Sequence, residues 1–196
     1  MQSSFPTQLP ALPSMLLQHT FSRYDLIPMP PNVLLRIEQG TVRTMTWSEE
    51  GTMVTLGYWG NGDVVGQPLS SVQPYQVECL TSVEVSYIFS HQWHQALDAI
   101  FLHVQQTEEL FSIARCERVH QRLQQILFWL ARKFGRPVEQ GQLINLRLTH
   151  QELAEVIGTT RVTVTRLLSR FEQQGIIRRS CRHFIVLPKN FKTESP

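Results

Sequence analysis

Between Leu148 and Phe171 the residue order permits very few backbone paths. Thr149-His150-Gln151-Glu152 is a capping box: the Thr149 hydroxyl can accept the Glu152 amide, and the Glu152 side chain can reach back. Leu153, Ala154 and Ile157 then share the inner face of a short helix. Gly158 allows a left-handed stop, because a residue without Cβ enters that region freely. Thr160 caps a second helix, in which Val164, Leu167, Leu168 and Phe171 follow the i, i+3, i+4, i+7 spacing of a buried face. The pattern predicts two helices joined by a tight turn, a helix-turn-helix.

The opposite face of the second helix is Arg161, Val162, Thr165, Arg166, Ser169 and Arg170, with three Arg and no carboxylate. The major groove of DNA admits one α-helix, and its base edges present a distinct donor and acceptor pattern. Arg161 and Arg166 can each fork onto guanine O6 and N7, while Val162 and the Thr methyls suit a thymine methyl. Two strands follow, Ile176–Arg179 and His183–Leu187, around a turn at Ser180-Cys181-Arg182. Arg178, Arg179 and Arg182 would lie against phosphates as a wing. Charge agrees. Gly135–Pro196 holds ten Lys/Arg and five Asp/Glu, so it is +5, whereas Met1–Phe134 is −3. One basic end on a mildly acidic body suits a polyanion. The bland alternative, a solvated basic helix without a ligand, does not explain why cap, turn glycine, apolar phase and Arg face agree.

Upstream, residues 1–19 form a Pro-rich arm with Pro6, Pro10 and Pro13. From Thr20 to about Phe89 the pattern is β. Val33–Ile37 ends at Gly40, Thr41–Trp47 follows, and Ser48-Glu49-Glu50-Gly51 reads as a hairpin turn. Met53–Tyr58 closes at Gly60-Asn61-Gly62-Asp63; Tyr75–Leu80 and Val83–Phe89 complete the set. Such short strands suggest a roll or barrel. From Gln92 to Phe134 there is neither Pro nor Gly. Leu97, Val104 and Phe111 recur every seven residues, supported by Ile100 and Ala114, which is the spacing of a helix packing along a partner. Leu123, Ile126, Leu127 and Leu130 lie on another phase, so a break is expected near Val119–Gln121. Gly135 and Pro137 end the helix, and a strand at Leu143–Leu148 precedes the capping box.

Leu148–Leu168 resembles the DNA-binding motif of the cyclic AMP receptor protein/Fnr superfamily, and Gly158-Thr159-Thr160-Arg161-Val162-Thr163-Val164-Thr165-Arg166-Leu167-Leu168 is most similar to the cyanobacterial global nitrogen regulators. Gly40-Thr41-Val42-Arg43 and Gly60–Gly66 resemble the superfamily's β-roll turns. The resemblance implies an α+β fold in four parts. These are the arm (1–19), a jelly-roll sensor-like domain (20–96), a dimerisation helix and hinge (97–134), and a winged helix-turn-helix (135–196). It implies a homodimeric, sequence-specific transcription regulator in the cytoplasm, with RNA polymerase as a partner. Arg161, Val162, Thr165 and Arg166 would face bases; Thr149, His150, Thr160, Thr163, Arg170, Arg178 and Arg182 would meet the backbone. The DNA site would be an inverted repeat with half-sites about one helical turn apart, resembling GTA and TAC.

The sensor departs from that pattern. Members that bind a cyclic nucleotide carry a Glu and an Arg–Ser/Thr pair after the glycine matching Gly66, where this chain has Gln67-Pro68-Leu69. Thr44–Ala114 holds no Lys or Arg and eight acidic residues, and only Arg36, Arg43, Arg115 and Arg118 lie near its borders. A buried phosphate or dicarboxylate needs paired cations, so neither a cyclic nucleotide nor 2-oxoglutarate is expected. No cofactor or metal is expected either. Three scattered cysteines cannot hold a four-thiolate cluster, and His91, His94 and His103 are candidate haem ligands only by residue type. No His-Glu-x-x-His, Gly-x-Ser-x-Gly or phosphate-loop motif supports an enzyme. The other competing function is a protein-interaction module that keeps the fold and acts through a partner protein; Arg161 and Arg166 argue against it. At 42% hydrophobic and 17% charged the chain is not disordered. Its apolar runs, such as Ile126–Ala131, fall short of the roughly 20 residues a membrane span needs, and no export signal is visible.

Overall fold

A computed structural model describes residues 18–187; the predicted arm lies outside them except for Gln18 and His19. Those two belong to the first strand, β1 (Gln18–Phe21), opposite Ser86 and Val85. The β-rich half continues with β2 (Leu26–Ile27), β3 (Val33–Gln39), β4 (Val42–Trp47), β5 (Met53–Trp59), β6 (Val64–Val65), β7 (Gln76–Cys79) and β8 (Val83–Phe89). They form two four-stranded antiparallel sheets, in the orders β1-β8-β3-β6 and β2-β7-β4-β5. Leu35, Ile37, Val42, Trp59, Val77 and Val85 fill the space between them. β3 is apolar on successive residues because both of its faces are covered. Leu35 and Ile37 enter that interior, whereas Leu34 packs with Val64, Ile88, Ala96 and Ala99 on the other side. Two-residue strands such as β2 and β6 are too short to be seen in a residue pattern, and the sequence showed neither.

A 3-10 segment (Ser90–Ala96) leads into α1 (Leu97–Arg115). The chain breaks at Cys116–Arg118, slightly ahead of the predicted position, and resumes as α2 (Val119–Phe134). The break lets Leu123, Ile126, Leu127 and Leu130 turn into a core shared with Tyr58 and Leu80 of the roll and with the C-terminal helices. Leu97, Val104 and Phe111 remain exposed and are joined by Phe101. Ile100 differs from the expected stripe: it is half-buried against the Leu34–Val64–Ile88 cluster.

After α2 the structure holds a hairpin where the sequence suggested only a helix stop and one later strand: β9 (Gly135–Val138) pairs with β10 (Gly141–Ile144). Pro137 is tolerated because β9 is the edge of its sheet, where a missing N–H breaks no ladder. The predicted strand therefore ends at Ile144, although Leu146 and Leu148 are still buried. α3 (His150–Ile157) and α4 (Arg161–Gln173) follow, then β11 (Ile177–Ser180) and β12 (His183–Val186). These strands close a sheet of order β11-β12-β10-β9. Among the described residues no helix is long and apolar enough to cross a membrane.

Candidate nucleic-acid interface

Local chemistry fixes the angle between α3 and α4. The Glu152 amide donates to Thr149 Oγ1 at 3.1 Å, and the Thr149 amide donates to Glu152 Oε2 at 2.5 Å, completing the predicted capping box. Gly158 stands at φ +63°, and the Thr163 amide donates to the Thr160 hydroxyl at 3.2 Å. Val164, Leu168 and Phe171 are buried with Leu153, Ala154 and Ile157, which holds α4 by one side; Leu167 is only half-buried.

The other side of α4 is open. Arg161, Val162, Thr165, Arg166, Ser169 and Arg170 are all exposed. Among the described residues none of the three arginines has an ion-pair partner. Thr165 is partly committed: its hydroxyl donates to the Arg161 carbonyl at 2.9 Å and lies 2.8 Å from His150 Nδ1. Since that hydroxyl proton is used, Thr165 Oγ1 accepts from Nδ1–H, which leaves the His150 Nε2 as a lone pair. Burial, and then the Arg179 and Arg161 guanidinium groups, lower the His150 pKa and keep the ring neutral. Of the remaining predicted residues, Thr149 and Thr160 are exposed and Thr163 is half-buried beside Thr160 Oγ1 at 2.9 Å. Arg178 and Arg182 are exposed on the β11–β12 hairpin. Arg179 is held by Glu172 at 3.3 Å.

Two arrangements were not foreseen. Arg43 on β4 is buried, and it binds Glu78 at 2.6 Å and Glu155 of α3 at 3.0 Å. It thus ties the roll to the first helix of the motif. On the far side of α1, His103 stacks on Trp59 with centroids 4.0 Å apart, and its Nδ1 lies 3.0 Å from the Val64 carbonyl. Next to it Lys133 of α2 pairs with Asp63 at 2.6 Å. Both arrangements join residues far apart in the chain, so no local pattern announced them. His91 and His94 are exposed and lie outside this cluster.

Residues 121–189 match the model of a Crp-like helix-turn-helix domain. The regulatory protein CysR of Synechococcus elongatus is 44% identical over 167 residues, covering 84% of this chain and 81% of CysR. The global nitrogen regulator of a Synechocystis strain is 33% identical over 178 residues, covering 81% and 79%. A transcriptional regulator of the CRP family from Thermus thermophilus shares the fold, with a TM-score of 0.74 at 20% identity over 86% of this chain and 91% of that one. By their names these proteins are regulators, not enzymes.

Proposed function

The chain belongs to the Crp/Fnr family of transcription regulators, and from that premise we propose that it acts as a homodimer reading an inverted-repeat DNA site with α4 in the major groove. One observation carries the reading: among the described residues Arg161, Arg166 and Arg170 project without ion-pair partners from a helix whose other face is clamped in the core. Arg161 and Arg166 fork onto guanines, while Val162 and the Thr165 methyl meet thymine methyls. A half-site resembling GTA, TAC on the other side, offers a thymine methyl on each strand and one guanine, which takes one of the two arginines. Thr149, His150, Thr160, Thr163, Arg170, Arg178 and Arg182 meet the backbone and set the register.

Residues 20–96 serve as the sensor-like unit, 97–134 as the dimer helix and hinge, and 135–196 as the DNA-binding unit. The dimer seam is the exposed stripe of Leu97, Phe101, Val104 and Phe111, with Ala114 at its end. RNA polymerase is the protein partner, in the cytoplasm. The sensor does not take a cyclic nucleotide. Arg43 is already neutralised by two carboxylates, Arg36 reaches the Gln95 carbonyl at 3.4 Å, and Gln67 is turned onto the Ser70 carbonyl at 2.9 Å.

The test is selection of bound duplexes from a random pool. An inverted repeat should be enriched, and Arg166→Ala should cost about 1–3 kcal/mol and relax choice at one base. A variant that binds the enriched duplex as tightly and as selectively as the wild type removes the base-contact assignment.

A further inference from the structure

A cleft of about 470 Å³ opens where the Gly60–Asp63 turn of the roll meets the end of α2. Asp63, Gln106, Lys133 and Phe134 line it together with Asn61 and Asn145. Among its described lining residues Asp63 and Lys133 alone are charged, and they pair at 2.6 Å. The Lys133 ammonium is also caged by rings. Its Nζ lies 5.4 Å from the centroid of Trp59, 5.5 Å from that of Trp129 and 5.5 Å from that of Phe134. At such distances aromatic faces attract a cation through their negative quadrupole. Asp63 closes the cage, and Lys133 donates to Gln106 Oε1 as well. Gly60 gives the third ring its place, since a Cβ there would stand 2.8 Å from Phe134 Cε1.

The cage suits a cation whichever molecule supplies it. Asp63 Oδ2 accepts from the Gly60 amide at 2.7 Å, and Oδ1 accepts from Gln106 Nε2 at 3.0 Å. The carboxylate is therefore held in position without Lys133. Glu109 brings a second negative charge, accepting from Trp129 Nε1 at 2.6 Å. Residues 44–114 supply Trp59, Asp63, Gln106 and Glu109, and they contain eight acidic residues and no Lys or Arg. That field repels anions and gathers cations. A lysine fills such a cage poorly. Its ammonium is compact and strongly hydrated, and burial lowers its pKa although Asp63 and Glu109 pull the other way. A quaternary ammonium cannot lose its charge to burial, and aromatic cages recognise it. The Lys133 side chain is 17% exposed, so the cage can be reached from the cleft.

We propose that this cleft binds a small organic ammonium ion, which takes the place of the Lys133 ammonium against Asp63 and the three rings. Lys133 is then a tethered stand-in that the ligand displaces. Lys133 lies at the end of α2, just ahead of β9, so its pairing with Asp63 ties the roll to the unit that follows. A free cation in the cage unties α2 from the roll and leaves Asp63 neutralised. The site is separate from α4 and does not depend on the DNA-binding reading.

The test adds tetramethylammonium chloride to the full-length protein at constant ionic strength, with sodium chloride and tert-butanol as controls. Tryptophan emission, to which Trp59 and Trp129 contribute, reports binding, and circular dichroism confirms that each variant is folded. Wild type should show a saturable change with tetramethylammonium alone. Lys133→Ala removes the tethered competitor and should bind roughly tenfold tighter. Lys133→Arg keeps a tethered cation and should bind no tighter than wild type. Folded Asp63→Asn should show no saturation. The proposal is overturned if wild type and Lys133→Ala give no saturable change, if sodium chloride or tert-butanol reproduces it, if Lys133→Ala binds no tighter than wild type, or if binding survives Asp63→Asn. Should Lys133→Ala not fold, wild type decides: saturation by tetramethylammonium alone supports the site, and its absence overturns it.

Discussion

Arg43 on β4 and Glu155 on α3 lie 3.0 Å apart, although 112 residues separate them in the chain. The same guanidinium holds Glu78 of β7 at 2.6 Å, so one buried cation secures two carboxylates from different parts of the molecule. Removing one member of a buried group strands the others without water. Arg43→Leu should destabilise by about 3 kcal/mol, and Glu155→Gln by less, since Arg43 keeps Glu78. The double variant should lose less than the sum of the two, because both single changes break one shared contact. Denaturant midpoints measure this, and strict additivity would mean that the pair does not interact.

Gly158 and Gly40 separate backbone conformation from space. Among the described residues a Cβ at Gly158 would meet nothing within 4 Å, so Gly158→Ala exposes only the cost of φ +63°, about 1 kcal/mol. At Gly40, φ is +89° and a Cβ would stand 2.2 Å from the Ser82 carbonyl oxygen. Gly40→Ala should cost roughly 3 kcal/mol or more, as backbone strain adds to a clash with main chain. Equal losses in thermal or denaturant unfolding would contradict the stated geometry.

The difference between those glycines shows how far the residue order could be read. The Gly158 turn was legible because cap, stop and apolar spacing all fall within about two dozen neighbouring residues, and local rules govern each. The Arg43 group was not legible: a basic residue in a strand says nothing about which carboxylates fold back onto it. β9 was hidden for a related reason, since Pro137 argues against a strand until the edge position is known. Ile100 shares the spacing of the exposed stripe, yet packing against the cluster of Leu34, Val64, Ile88, Ala96 and Ala99 draws it onto the roll. The outward arginines of α4 were foreseen because amphipathic phase places them. Arg23 and Arg147, 124 residues apart, come together only through the tertiary fold.

His103 makes stability depend on pH. Burial, with a smaller part from Lys133, lowers its pKa below the ordinary 6.5, against the opposing pull of the Val64 carbonyl and Asp63. The folded state therefore refuses a proton that the unfolded chain accepts. Its contribution is fully present above pH 6.5 and is lost as pH falls through the folded value. His103→Gln should flatten the fall in unfolding free energy between about pH 7.5 and about pH 5.5. Parallel pH profiles for wild type and variant would sink this assignment.

His150 should couple DNA binding to a proton. Its Nδ1–H is spent on Thr165, so its Nε2 can donate to a phosphate only when the ring is protonated. In the free protein, burial and the flanking guanidinium groups resist that charge; a bound phosphate would favour it. Binding then takes up a proton, and affinity should rise as pH falls from about 8 to about 6. The pH dependence should be weaker in His150→Gln, measured by fluorescence anisotropy on one duplex at fixed salt. A slope unchanged in the variant would place the proton uptake elsewhere.

The exposed side of α1 should decide whether two copies associate. Leu97, Phe101, Val104 and Phe111 fall at successive steps of four, three and seven residues, and Phe111 is 67% exposed. An isolated helix face that apolar calls for a partner, and a parallel second copy of α1 would cover it with the same residues. Burying one Phe is worth roughly 2 kcal/mol, and a carboxylate forced into a symmetric seam meets its own copy. Phe111→Glu should therefore raise the dimer dissociation constant by a hundredfold or more, at about 1.4 kcal/mol per decade, and should abolish binding to the paired half-sites more than to one. The α2 core does not involve Phe111, so thermal unfolding of the protomer should change little. Sedimentation equilibrium gives the association state directly. A wild type that is monomeric at micromolar concentration, or a Phe111→Glu variant that dimerises equally well, would show that this face serves something other than a second copy.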